Sequence, residues 1–173
     1  ALADFDGDGR PDIGVVGCAG YVAFRGRDGA VMWTADTRDS TFATTGSSVF
    51  DFDGDGQAEV VYNDETRLRI FNGSDGRVLW ETCNTSATVY ELPVIVDVDA
   101  DDHAEIVVVG NDRWARCLDG SSNRGLRVIG DRRSNWVRTR KVWNQHTYHV
   151  TNIDDDLRIP RAEPPNWTTP GLN

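Results

Sequence analysis

The sequence predicts an all-β chain, a β-propeller of four-stranded blades of which about three to four are present, so that the ring is partial. Three observations carry this: an internal repeat of about 45 residues, four strand signals in a repeat, and an acidic glycine-bearing loop at the same place in successive repeats. Residues 4–12 (DFDGDGRPD) lie over 51–59 (DFDGDGQAE), a shift of 47 from Asp4 to Asp51. The register then continues without a gap, placing Phe24 on Phe71, Gly26 on Gly73, Asp28 on Asp75, Val31 on Val78 and Trp33 on Trp80. A third copy starts 46 positions on, at Asp97 (DVDADDHAE), and runs through IVVVG to CLDG at 117–120 before diverging. A degraded fourth copy starts at Asn152 (NIDDDLRIP), with Pro160 where the others have an acid.

The elements follow in order in the second copy. Residues 47–50 lead into the acidic loop, 58–63 (AEVVYN) form the strand after it, 67–71 (RLRIF) alternate as a third strand, 72–76 (NGSDG) turn, and 77–80 make the last strand. A β-solenoid or a meander competes, but β-helix repeats are usually much shorter. Residues 1–120 are thus read as repeats starting near 4, 51 and 97, and 121–173 as a divergent C-terminal blade and tail of the same propeller. Only Ala1, Leu2 and Ala3 precede the first loop, so the expectation is a fragment of a longer propeller, or a ring completed by another chain or segment.

Composition limits the function classes. The chain has 173 residues, 39% of them hydrophobic, with six Trp, which is enough apolar surface for a folded core. A formal charge of -10, concentrated in clusters, argues against a nucleic-acid partner and for a cation. No stretch reaches the ~20 apolar residues of a membrane span, and no basic-plus-apolar leader opens the sequence. Cys18, Cys83 and Cys117 have no zinc-site spacing.

The acidic loops set side-chain oxygens at positions 1, 3 and 5 of a tight turn, with a backbone carbonyl at 7 and a carboxylate at 9. Such a cage of hard oxygens suits Ca²⁺, and without a cation the carboxylates repel one another. The candidate ligands are Asp4, Asp6, Asp8 and Asp12; Asp51, Asp53, Asp55 and Glu59; and Asp97, Asp99, Asp101 and Glu105. Arg10, Gln57 and His103 supply carbonyls only. An EF-hand would need Glu at position 12, which is Val15, Tyr62 and Val108 here. Solvated Asp-Gly turns are the plainer alternative, opposed by three copies of the same pattern. Near Asn152, Asp154 and Asp156 the glycine and the ninth-position acid are missing, so a fourth site is read as weak or empty.

These loops, each followed by a β-branched strand, resemble the FG-GAP/VCBS repeats of integrin-like β-propellers, over roughly residues 1–120. The segment from Gly125 (GLRVIGDRRSNWVRTRKVWNQHTYHVTNI, then IPRAEPPNW and PGLN) looks like the C-terminal part of secreted bacterial proteins of this class. The resemblance implies a Ca²⁺-stabilised propeller that is secreted or on the cell surface, acting in adhesion or in glycan or protein binding. The alternatives are a non-catalytic propeller domain of a secreted polysaccharide-degrading enzyme and a structural, self-assembling repeat. An extracellular setting permits a disulfide, and Cys83 with Cys117, on the third strand of the next repeat, is the expected pair, leaving Cys18 over.

Two further features stand outside the repeat. Residues 124–143 hold seven basic residues with Trp136 and Trp143, a setting for an anionic sugar or an acidic protein segment. Alternatively the arginines pair with the chain's own carboxylates while the tryptophans fill gaps between blades. His146 and His149 (HTYH) lack the acid of HExxH and sit in a strand-like neighbourhood, so they are read as hydrogen-bonding residues. No nucleophile elbow or phosphate loop is present, and the chain is expected not to be an enzyme.

Overall fold

The computed structural model describes residues 1–17, 19–39, 46–87 and 91–168, so Cys18 lies outside the described residues. Among them the fold is all-β: three antiparallel sheets and a single 3-10 turn at Asn166–Thr168, with no helix long and apolar enough to cross a membrane. The first sheet runs β1 (Leu2–Ala3), β2 (Asp12–Gly17), β3 (Gly20–Phe24), β4 (Val31–Ala35), in that spatial order. The second repeats it with β5 (Ser48–Phe50), β6 (Glu59–Asn63), β7 (Arg67–Phe71) and β8 (Val78–Cys83).

The sequence repeat is a structural repeat down to its irregularities. Ile13 pairs with Phe24 as Val60 pairs with Phe71, and a register shift falls at Ala23/Phe24 in one sheet and Ile70/Phe71 in the other. The alternation of RLRIF buries Leu68 and Ile70 and turns Arg67 and Arg69 outward, where both meet Glu81 across the strand pair.

The third sheet departs from the pattern. It has three strands, β9 (Val94–Val96), β10 (Glu105–Gly110) and β11 (Gly125–Gly130), and β11 pairs directly with β10 from Gly110↔Gly125 to Glu105↔Gly130. Residues 113–118 (RWARCL), expected to carry a strand, belong to the connection between them, and CLDG is a turn closed by Gly120 N–H donating to the Cys117 carbonyl. Cys117 is therefore not on a strand, a correction with two causes. RWARCL lacks a clean apolar alternation, and the segment is tethered to the second sheet by the Cys83–Cys117 disulfide, Cα to Cα 5.9 Å.

The core lies between successive sheets. Ala3, Phe5, Tyr21, Ala23 and Trp33 of the first half face Val60, Tyr62 and Phe71 of the second sheet. Phe50, Phe52, Val61, Leu68 and Ile70 of the second face Ile95, Ala104, Ile106 and Val108 of the third. Each Val, Leu, Ile or Phe among them, fully buried, contributes roughly 1.5–3 kcal/mol. Gly14 is dictated by this packing, because a β-carbon there would overlap the Tyr21 hydroxyl. The sheets stack in sequence order, and no closed ring forms among the described residues.

Candidate metal centre and adjoining cleft

Each sheet's first connection is an acidic loop, and the three are wired alike by backbone amides. At position 1, Asp4 accepts from the N–H groups of Gly7 and Gly9 (2.8 and 2.7 Å), Asp51 from Gly54 and Gly56 (2.7 and 2.8 Å), and Asp97 from Ala100 and Asp102 (2.6 and 3.2 Å). At position 3, Asp6, Asp53 and Asp99 accept from the residue two ahead. At position 5, Asp8, Asp55 and Asp101 accept from the N–H of Arg10, Gln57 and His103. The amides fold each loop so that its acidic side chains converge.

Convergence is close. Asp4, Asp6 and Asp8 bring carboxylate oxygens within 4.8 Å of one another, as do Asp51, Asp53 and Glu59, and Asp97, Asp99 and Asp101. Like charges at such distances repel by roughly 1–4 kcal/mol per pair depending on burial. The ninth-position acids are buried and bind the second residue of their loops: Asp12 accepts from Phe5 N–H, Glu59 from Phe52 N–H and Glu105 from Val98 N–H. Asp12, one carbon shorter than its counterparts, gives its other oxygen to Gly26 N–H. Burial, then the charges of Asp53, Asp51 and Asp55, pushes the Glu59 carboxyl up to about 7. Burial raises Asp4 and Glu105 as well. All-carboxylate, convergent oxygen donors with like-charge strain are a donor set that fits a hard divalent cation.

The turn needs a left-handed backbone at loop positions 4 and 6. Glycine supplies it in the first two loops, with φ from 75° to 87° at Gly7, Gly9, Gly54 and Gly56. The third loop holds the same conformation without glycine, at φ 67° in both Ala100 and Asp102. The fourth loop keeps only part of the wiring: Asp156 accepts from Arg158 N–H (3.3 Å) and Leu157 is left-handed at φ 67°, but position 1 is lost. Asn152 points back, its amide donating to the Thr147 carbonyl and its oxygen accepting from His149 N–H.

The C-terminal segment lies across the second and third loops. Val137 N–H donates to the Phe52 carbonyl, Asp97 N–H to the Arg140 carbonyl, and a His103 ring nitrogen is 2.8 Å from the Trp136 carbonyl. Much of its basic charge is spent inside the chain: Lys141 on Asp97 (3.6 Å), Arg138 on Asp102 (3.7 Å), Arg140 on Asp155 (3.0 Å) and Arg124 on Asp112. Trp136 and Trp143 pack against the core between the second and third sheets. Of the two readings of residues 124–143, internal pairing and gap filling is the one these contacts favour.

Beyond the loops the same segment walls a cleft of about 1060 Å³. Leu2, Ser48, Phe50 and Ile95 line it from the three sheets, and Trp143, Tyr148, His149, Glu163 and Trp167 from the C-terminal segment. Trp143 and Tyr148 lie ring to ring at 4.6 Å, and Asp4 and Asp51 reach its edge. His146 and His149 sit in turns and not on a strand, and His149 bonds Glu163, which also accepts from the Thr151 hydroxyl (3.0 Å). Sequence reasoning did not find this cleft. Its one legible sign was aromatic residues in a proline-bearing tail without strand periodicity.

Residues 4–62 match the family model of the FG-GAP-like repeat, which bears out the resemblance read from the loops. Among solved structures the chain is similar to the biofilm matrix protein Bap1 of V. cholerae, with a TM-score of 0.78 and 28% sequence identity over 91% of this chain. The chain spans 26% of that protein. A search of curated protein sequences finds no match.

Proposed function

We propose that this chain is a calcium-binding β-propeller portion of a secreted or cell-surface protein, acting in adhesion through glycan or protein binding. The observation that carries the reading is the threefold acidic loop, wired by the same amides even where the glycines have been replaced. The FG-GAP-like repeat and the likeness to a biofilm matrix protein support an extracellular adhesion-type β module. They favour a binding or structural role over catalysis.

In this reading the cation does not meet the ligand. Asp4, Asp6 and Asp8, Asp51, Asp53 and Glu59, and Asp97, Asp99 and Asp101 would hold it, and the bound charge offsets carboxylate repulsion. Ordered loops then fix the C-terminal segment through the Phe52, Asp97 and His103 contacts, and that segment sets Trp143, Tyr148 and Trp167 around the cleft. Aromatic faces with a few polar groups in a concave site are suited to a saccharide ring or an extended peptide.

The test is binding of the purified chain to a panel of neutral and acidic glycans, with calcium and with EDTA, alongside Trp167→Ala. Selective binding that needs calcium and falls at least tenfold in the variant is expected. Binding that ignores both the chelator and Trp167 would refute the role given to loops and cleft.

A further inference from the structure

Among the described residues, the charge around the cleft is one-sided. Asp4, Asp51 and Glu163 line it and no Lys or Arg side chain does, which leaves His146 and His149 as the only side chains there able to carry positive charge. The basic residues of the same segment are turned elsewhere, Arg138 to Asp102, Arg140 to Asp155 and Lys141 to Asp97. The Ala1 amino group donates to the Gly14 carbonyl (2.8 Å), and burial lowers its hold on a proton. A divalent cation in the first or second loop would not reverse the sign, because each offers four carboxyl groups against a double charge. Glu163 is aimed by two bonds, one with the His149 ring and one from the Thr151 hydroxyl (3.0 Å). Both fall on Oε1, so Oε2 takes neither. The His149 bond, then that of Thr151, holds the carboxyl below its ordinary range, and it is charged at neutral pH. Beside it, Tyr148 adjoins His149 and lies against Trp143, and Trp167 stands four residues beyond Glu163.

We propose that the cleft binds a basic peptide segment of a partner protein, seating a lysine or arginine side chain against Trp143, Tyr148 and Trp167 with its charge on Glu163. This rests on the cleft reading above and names its ligand class. Much of the remaining wall is aliphatic, with Leu2, Leu92, Ile95, Val150 and Pro164. A saccharide would bring hydroxyls that lose water against such a wall without gaining partners. A lysine or arginine side chain matches it part by part: the apolar stem lies along the wall, and the charged head meets an aromatic face and a carboxylate. An anionic ligand meets only like charge, so the same lining that attracts a basic segment rejects an acidic one.

Fluorescence anisotropy of a labelled peptide of alternating lysine and alanine, in calcium, tests it. The control is the same peptide with every lysine acetylated, which keeps backbone and stems and loses the charge. The lysine peptide should bind at least tenfold tighter than the control, and less tightly as salt rises. Glu163→Gln keeps acceptors for His149 and Thr151 and should weaken the lysine peptide about tenfold, the worth of a charged hydrogen bond, without affecting the control. Trp167→Ala should weaken both peptides. Lysine-peptide binding that ignores both substitutions is attraction to the acidic loops at large and overturns the proposal. Equal binding of the two peptides, each weakened by Trp167→Ala, keeps the cleft and overturns its preference for charge. Binding of a glucosamine oligosaccharide, run in parallel, where neither peptide binds overturns the choice of occupant. If neither peptide binds and Trp167→Ala changes no glycan affinity, the cleft reading falls with it.

Discussion

The second sheet and the first share a register, a loop and a bulge, yet differ in what their Val60-type face touches. Val60 and Tyr62 are buried against the first sheet, while Ile13 and Val15, 47 positions earlier, face solvent. Equivalent sequence therefore does not mean equivalent energetics, because burial depends on a neighbour that the repeat itself does not specify. The loops behave in the opposite way. Their shape comes from local amide bonds, so all three are alike whatever flanks the sheet.

If the loops are alike, removing the cation should affect all three. A cation at a hundred times its Kd stabilises the folded state by about 2.7 kcal/mol per site, so chelation should lower Tm by many degrees in a thermal scan. Identical melts in calcium and EDTA would break the likeness at its root. Asp53→Ala should reduce metal stoichiometry by one, read by atomic emission, and an unchanged count would remove the second loop from the set.

If the faces differ, truncation should separate them. Tyr62→Ala should cost about 3–5 kcal/mol in urea denaturation, through lost burial and a cavity beside Tyr21 and Phe71. Val15→Ala should cost under about 1 kcal/mol. Similar losses at both positions would show that the first sheet's face is covered.

The join between second and third sheets is sharpened by the disulfide. Cys83 and Cys117 are 34 residues apart, and replacing both by Ser should cost about 3–4 kcal/mol on the chain-entropy estimate. Denaturation midpoints that coincide would show that the bond adds nothing to the contacts of buried Asn84 and Thr85 beside it, those with Asn123 included. The smallest effect should be in the loop backbone. Ala100→Gly should stabilise by about 0.5–1 kcal/mol by relieving a left-handed alanine, whereas Gly54→Ala should destabilise by as much or more, since its β-carbon would also crowd Val137. Equal and opposite signs would sharpen the identity of the loops, and two destabilisations would break it.

Strand existence was legible because its causes are local. RLRIF alternates, NGSDG turns, and the observed β7 occupies the expected residues, while β6 and β8 shift by a residue or more at their ends. The acidic loops were legible for the same reason, since Asp51, Asp53 and Asp55 make their amide bonds to residues within five positions. Cys117 shows where this stops. CLDG aligned with the third-strand-and-turn of the other repeats, but its segment did not pair, and β11 took the vacant place beside β10.

The sequence alone thus determined the period, most of the strands and the acidic loops, all properties of short-range bonding or of a register that repeats, while the bond between Cys83 and Cys117 needed the fold. Only the tertiary structure decided which acids turn inward, that Lys141 and Arg138 reach acids of the third loop, and that Trp143 and Tyr148 wall a cleft with strands up to a hundred and more residues away. It also decided which of three equivalent faces is covered. Those outcomes depend on packing between distant segments, and distance along a chain leaves no periodicity from which such contacts can be read.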